Sequence, residues 1–273
     1  MNLPYALAAI DMDATLLGPD HAIGPANRAA LDRLRTAGVD VVLASGRRHE
    51  NLTRFHAELG IDGPAISGNG ALVRCTRSGE TWHERLLDPD NAIALLRDGA
   101  TRGITQVVEH ADGGSYVAAF TRHSDILARR TGNPITEVAD LAARGGHGIR
   151  KVIWIADPDV VNRIAEPMSR EWKSTFATIV TDPEYLEFMA IGVDKAPALQ
   201  TVAARLEVVR EEVLAFGDGA NDARMLRWAG LGFAMPHGGP EAIAAADHVA
   251  PPGDPGDAFA RAVELLFRLH GRR

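Results

Sequence analysis

Along the first third of the chain, apolar residues come in short unbroken runs separated by stretches of helical spacing. Ala6–Ile10 is continuous and stops at two acids, as a strand covered on both faces does. Pro25–Ala37 sets Ala26, Ala29, Ala30, Leu34 and Ala37 at helical intervals and ends at Gly38, a natural helix stop. Val39–Ala44 repeats the strand pattern, and a helix is predicted over 49–59. Ala65–Ser67 and Ala71–Cys75 read as further strands around the turn Gly68-Asn69-Gly70. Short buried strands alternating with helices predict a parallel α/β sheet.

The rhythm then changes. Thr105–His110 and Ser115–Phe120 are β-rich runs joined by A-D-G-G, which predicts an antiparallel hairpin. A helix near 123–131, a strand Lys151–Ala156 and a helix over 158–171 follow. A second hairpin pairs Phe176–Thr181 with Tyr185–Ile191 across D-P-E. Strand–helix alternation returns with a helix at Pro197–Leu206, a strand at Val213–Phe216, a helix at Asn221–Ala229 and a strand at Leu231–Ala234. Two last helices are predicted at Pro240–Ala246 and Ala258–Leu269. The expected architecture is one α/β core built from residues 1–82 and 190–273, interrupted by an α+β domain at 83–189.

Composition narrows the class without naming a chemistry. The chain has 273 residues, 46% hydrophobic and 24% charged, which is ordinary globular composition and long enough for two domains. A formal net charge of -7 argues against a nucleic-acid surface but leaves room for a small anionic substrate in a local pocket. Cys75 is the single cysteine, expected as a strand-packing thiol, so no intrachain disulfide forms. Tyr5–Ile10 is too short for a signal segment, and no run approaches the ~20 apolar residues of a membrane span. A soluble cytoplasmic protein with no nucleic-acid or membrane partner is expected, as monomer or homodimer.

Candidate chemistry lies at the strand ends. Asp11 and Asp13 directly follow the first strand, where ligands of open α/β sheets bind. Two carboxylates this close repel unless a cation lies between them, and a hard divalent ion would relieve the repulsion. A short D-x-D pair also occurs in plain turns. A second cluster, Gly217-Asp218-Gly219-Ala220-Asn221-Asp222, again ends a buried strand, and two such turns on one sheet favour a metal site. Ser45-Gly46-Arg47 ends the second strand, where a hydroxyl and free N–H groups can hold phosphate oxygens or merely cap a helix. Lys195 stands at a helix start in a chain with three lysines and 26 arginines; a compact ammonium suits a phosphate or a carboxylate nucleophile, the alternative being a solvated lysine at a helix start. His110, His123 and His147 read as loop histidines, and Trp82, Trp154 and Trp172 as packing residues.

Taken in order, D-M-D-A-T-L, A-S-G-R, G-V-D-K and G-D-G-A-N-D resemble the four motifs of the haloacid dehalogenase (HAD) superfamily. The α+β insertion between the second and third resembles the Cof-type hydrolases, which carry a C2 cap (subfamily IIB). The resemblance spans nearly the whole chain and implies a Rossmann-like parallel-sheet core with an inserted α+β cap. It implies a Mg2+-dependent phosphatase that hydrolyses small phosphate monoesters, such as sugar or cofactor phosphates, through an aspartyl phosphate. Asp11 matches the nucleophile, and Asp13 the general acid/base whose backbone carbonyl also binds the metal. Ser45, Gly46, Lys195 and Asn221 match phosphate-binding positions, Asp218 a magnesium ligand and Asp222 its support. Asn69 matches a loop near the active site. A phosphohexomutase of the same capped class and a non-catalytic binder of phosphorylated ligands are the alternatives. The chain departs from the motif pattern at Ala14, usually Gly, and at Pro236-His237, usually Gly-Asn; P-P-G-D-P-G-D near the end also lacks a usual Asn.

Overall fold

A computed structural model describes residues 3–144 and 146–271. The chain runs β1 (Leu7–Ile10), α1 (Pro25–Thr36), β2 (Asp40–Leu43), α2 (His49–Leu59), β3 (Pro64–Ser67), β4 (Leu72–Cys75) and β5 (Thr81–Glu84). It continues through α3 (Pro89–Thr101), β6 (Thr105–His110), β7 (Ser115–Val117), α4 (Arg122–Thr131), β8 (Thr136–Glu137), β9 (Ile149–Ile155), α5 (Pro158–Glu171), β10 (Phe176–Asp182) and β11 (Tyr185–Ala190). The last part is α6 (Lys195–Arg205), β12 (Val213–Gly217), α7 (Ala223–Trp228), β13 (Leu231–Ala234), α8 (Pro240–Ala245), β14 (His248–Val249) and α9 (Ala258–His270). Two compact units result: Met1–His83 with Asp194–Arg273, and Glu84–Val193.

The first unit is built on a parallel sheet in the order β14-β13-β12-β1-β2. The unbroken apolar runs are explained by helices on both faces. From β1, Ala8 and Ile10 point into a core shared with Leu31, Leu34, Phe259 and Leu266 of α1 and α9. Leu7 and Ala9 point into a second core with Leu199, Val202, Met225 and Leu226 of α6 and α7. Phe216 stacks on Phe233 at 5.2 Å and meets Phe259 edge-on at 5.1 Å, each buried ring contributing about 1.5–3 kcal/mol. β1 pairs directly with β12, Leu7 opposite Val213, so the first and last thirds of the chain meet at the centre of the sheet.

The two strands expected around Gly68-Asn69-Gly70 pair with each other: β3 and β4 are antiparallel in their own sheet, β3-β4-β5, and β3 meets the end of β2 through an isolated parallel bridge, Ala44 to Ile66. A turn as short as Gly68–Gly70 can close a hairpin but cannot make a parallel crossover. Pro64 also lacks the N–H that a longer ladder with β2 would use.

The second unit is a sheet in the order β10-β11-β9-β6-β7-β8, antiparallel except where β8 runs parallel to β7. β7 ends at Val117 rather than Phe120, because Phe120 turns outward and Thr121 begins the capping box of α4. Helix α3 carries no expectation from the apolar pattern, yet Asp88 caps it by accepting from Asn91 N at 3.0 Å and Pro89 opens its first turn. Trp154, fully buried, anchors the face covered by α3 and α5, and Trp172 packs against the same core. On the other face, Lys151 pairs across strands with Glu109 and lies 3.1 Å from Glu187. Cys75 is free and buried at the end of β4. Among the described residues no helix is long and apolar enough to cross a membrane.

Candidate active site

The acidic turns, Lys195 and the residues that hold them all belong to the first unit. β1 makes its last ladder bond from Asp11 N to Phe216 O at 2.9 Å, and the chain then coils tightly through Met12–Leu16. β12 runs beside β1 and releases the chain at Gly217, so Asp218 emerges next to Asp11. Lys195 at the start of α6 is fully buried, and its Nζ donates to Asp11 Oδ1 at 2.5 Å and to Asp222 Oδ1 at 2.6 Å. Asp222 Oδ2 accepts from the N–H groups of Asp218 at 3.0 Å and Gly219 at 2.9 Å. This turn requires a glycine at 217, where a Cβ would fall 2.5 Å from the Asp222 side chain. Thr15 Oγ1, also buried, donates to Asp218 Oδ1 at 2.9 Å.

Carboxylate oxygens of Asp11, Asp218 and Asp222 lie within 4.8 Å of one another. Burial pushes the Asp11 carboxyl well above its ordinary range, the Asp222 charge adds to this, and Lys195 opposes it without prevailing. Burial and Asp222 likewise raise Asp218. Burial would lower the Lys195 ammonium, but Asp11 and Asp222 reverse that and hold it charged. With all three carboxylates ionised against one ammonium the cluster carries a negative excess, and all-oxygen donors at this spacing suit a hard divalent cation, which would favour those ionised forms.

Asp13 faces the other way. Its carboxylate is gripped by Arg47, Nε at 2.8 Å and Nη2 at 2.5 Å, with His21 Nδ1 at 3.5 Å. Burial would raise its pKa, but the Arg47 hydrogen bonds and charge outweigh it and hold the carboxyl below its ordinary value. Asp13 therefore has only its backbone carbonyl to offer a metal. Ser45, buried at the end of β2, accepts from Arg47 N at 3.1 Å, and Gly46 lies against Asn69, where a Cβ would come within 3.0 Å of Oδ1. Asn69 is buried in the left-handed conformation and accepts from Asn221 Nδ2 at 2.9 Å.

The structure thus brings Asp11, Ser45, Gly46, Asn69, Lys195, Asp218, Asn221 and Asp222 into one neighbourhood, with Asp13 at its edge. Sequence reasoning gave no role to Arg47 or Thr15, although both lie inside the quoted motifs. Arg47 was legible as a cation two residues from Ser45; Thr15 had no distinguishing signal. His123 lies 3.3 Å from Asp157, and His110 meets Tyr116 edge-on, both in the second unit.

A family model described as haloacid dehalogenase-like hydrolase matches residues 8–263. The chain is 29% identical over 249 residues to an HMP-PP phosphatase of Klebsiella pneumoniae (strain 342), covering 91% of this chain and 90% of that protein. It is 28% identical over 246 residues to an HMP-PP phosphatase of Cronobacter sakazakii (strain ATCC BAA-894), covering 89% and 88%. Among solved structures, a haloacid dehalogenase-like hydrolase from Bacteroides thetaiotaomicron matches with a TM-score of 0.86 at 25% identity, over 96% of this chain and 100% of that one. A sugar phosphatase of HAD subclass IIB shares the fold, with a TM-score of 0.78 at 21% identity over 97% and 99%.

Proposed function

Because the chain belongs to the haloacid dehalogenase-like hydrolases, an enzyme family, we propose that it is a magnesium-dependent phosphatase of small phosphate monoesters. One observation carries the reading: Lys195, wholly buried, bridges Asp11 and Asp222 while Asp218 stands within 4.8 Å of both. The relatives named above include two HMP-PP phosphatases, which supports a small phosphorylated metabolite as substrate. In this reading residues 84–193 are the inserted cap.

Asp11 and Asp218 with the Asp13 carbonyl would hold magnesium, which neutralises the buried charge and polarises the phosphoryl oxygens. Lys195, together with the metal charge, favours the ionised form of Asp11 against its burial, and it draws charge from the phosphoryl group. Asp11 attacks phosphorus, the bond to the leaving oxygen breaks, and Asp13 delivers a proton to that oxygen. Water then attacks the aspartyl phosphate, Asp13 takes its proton, and phosphate leaves Asp11 free. The Arg47 pairing favours the proton-accepting form of Asp13. A phosphate dianion competes for the guanidinium and so lets Asp13 take up the proton it gives. Ser45, Gly46 and Asn221 hold the phosphoryl oxygens.

A panel of phosphorylated metabolites with Mg2+ tests the reading, with release of free phosphate as the readout. Chelation is expected to abolish release, and added Mg2+ to restore it. Protein that cleaves no ester, para-nitrophenyl phosphate included, would overturn the proposal.

A further inference from the structure

The loop after β13, Met235–Gly239, is tied to both acidic turns. Met235 N donates to Gly217 O at 3.0 Å and Gly239 N to Asp218 O at 2.8 Å. A Cβ at Gly238 would fall 2.7 Å from Asp218 O, so the loop runs close against the turn. From this loop the His237 imidazole reaches the carbonyl oxygen of Ala14, Nε2 to O 2.7 Å. A carbonyl oxygen only accepts, so Nε2 carries the proton.

Ala14 has φ +56° and ψ 8°, a left-handed conformation that costs a non-glycine residue about 1–2 kcal/mol. The plane of the peptide joining Asp13 to Ala14 is set by ψ of Asp13, at 132°, and φ of Ala14. If Ala14 relaxed to a right-handed value, that peptide would rotate and take the Asp13 carbonyl with it. A net hydrogen bond is worth about 1 kcal/mol, enough to offset much of the strain. Ala14 and His237 are also two positions at which the chain departs from the motif pattern, and here they touch.

We propose that His237 is a positioning residue: the hydrogen bond it donates holds Ala14 left-handed and so fixes the Asp13 carbonyl and the Asp11–Leu16 turn against Asp218. This rests on the reading of Asp13 as a metal ligand through its carbonyl. The test compares the native protein with His237→Ala, His237→Gln, Ala14→Gly and the double variant Ala14→Gly/His237→Ala. Mg2+ binding is measured by calorimetry without substrate, and kcat and KM with para-nitrophenyl phosphate.

His237→Ala is expected to weaken Mg2+ binding and lower kcat about fivefold each, with KM for the ester unchanged. His237→Gln, whose amide also donates, restores both to within about twofold. With Gly at 14 the left-handed turn is free of strain, so His237→Ala there changes Mg2+ affinity less than about twofold. An equal loss in both backgrounds, or no loss in either, overturns the proposal. The calorimetric pattern in a protein without turnover would support this inference and sink the phosphatase reading, whereas an active phosphatase without coupling between 14 and 237 sinks this inference alone.

Discussion

Two of the three lysines in this chain are buried between pairs of carboxylates, Lys195 between Asp11 and Asp222 and Lys151 between Glu109 and Glu187, and the two clusters behave as different kinds of object. Around Lys151 the charges are brought together by cross-strand register in the middle of an antiparallel sheet. Burial would lower that ammonium too, and Glu109 and Glu187 raise it instead. The backbone there is spent on the ladder, and Glu187 Oε2 has no hydrogen-bond partner among the described residues. Around Lys195 the strands have ended, so free N–H groups of Asp218 and Gly219 are available to fix Asp222. A third acid, Asp218, then leaves the cluster with two surplus negative charges if all three are ionised, against one around Lys151. A buried ion pair by itself is weak evidence for function, since desolvation roughly cancels attraction. Surplus charge of one sign, gathered from two strand ends far apart in the chain, is stronger evidence.

Asp11→Asn separates the roles most sharply. It removes one surplus charge and the nucleophile together, so turnover should fall more than about a thousandfold while the thermal midpoint holds or rises. Near-normal turnover in this variant would end the nucleophile assignment. Next comes a matched pair, Lys195→Met and Lys151→Met. Each strands buried carboxylates and should lower stability by about 3–5 kcal/mol in denaturant titrations. Mg2+ should recover more of the loss in Lys195→Met than it adds to the native protein, and have no extra effect on Lys151→Met. An equal Mg2+ response in both would erase the distinction.

His56 offers the opposite case, a buried ionisable group that stays neutral. Burial, and then the neighbouring His49, depress its pKa from 6.5 to about 4. The unfolded chain therefore takes up the proton first as pH falls, and stability present above pH 6.5 is lost toward pH 4. At about 1.4 kcal/mol for each pH unit, the loss is on the order of 3 kcal/mol. Urea titrations at pH 7.5 and about pH 4.5 should give a smaller difference for His56→Gln than for the native protein; an unchanged difference would place the acid sensitivity elsewhere. The smallest effects lie within the Lys151 cluster. Glu187 is buried at 3.1 Å from the ammonium and Glu109 is more exposed at 3.5 Å. Glu187→Gln should therefore destabilise by about 1–2 kcal/mol and Glu109→Gln by less than about 1 kcal/mol, and the reverse order would count against the register-based account.

Much of this was readable in the chain. The runs at β1, β2, β12 and β13 announced strands covered on both faces, and their ends marked where Asp11, Ser45 and Asp218 would emerge. The antiparallel pairing of β3 with β4 was not readable from the runs themselves, because an apolar run reports burial and not partner. The direction of the Asp13 side chain was also hidden. Nothing local tells a carboxylate to turn from Asp11 toward Arg47, 34 positions away.

By itself, then, the sequence determined where the core strands β1, β2 and β12 end and which chemistry follows each, since local periodicity and turn residues act over a few positions. Only the tertiary structure decided that Lys195 lies between Asp11 and Asp222, that Asn221 meets Asn69, and that His237 reaches Ala14. Those contacts join residues 27 to 223 positions apart, and they exist because the strand ends of the parallel sheet, the start of α6 and the β3–β4 turn are packed together within one unit.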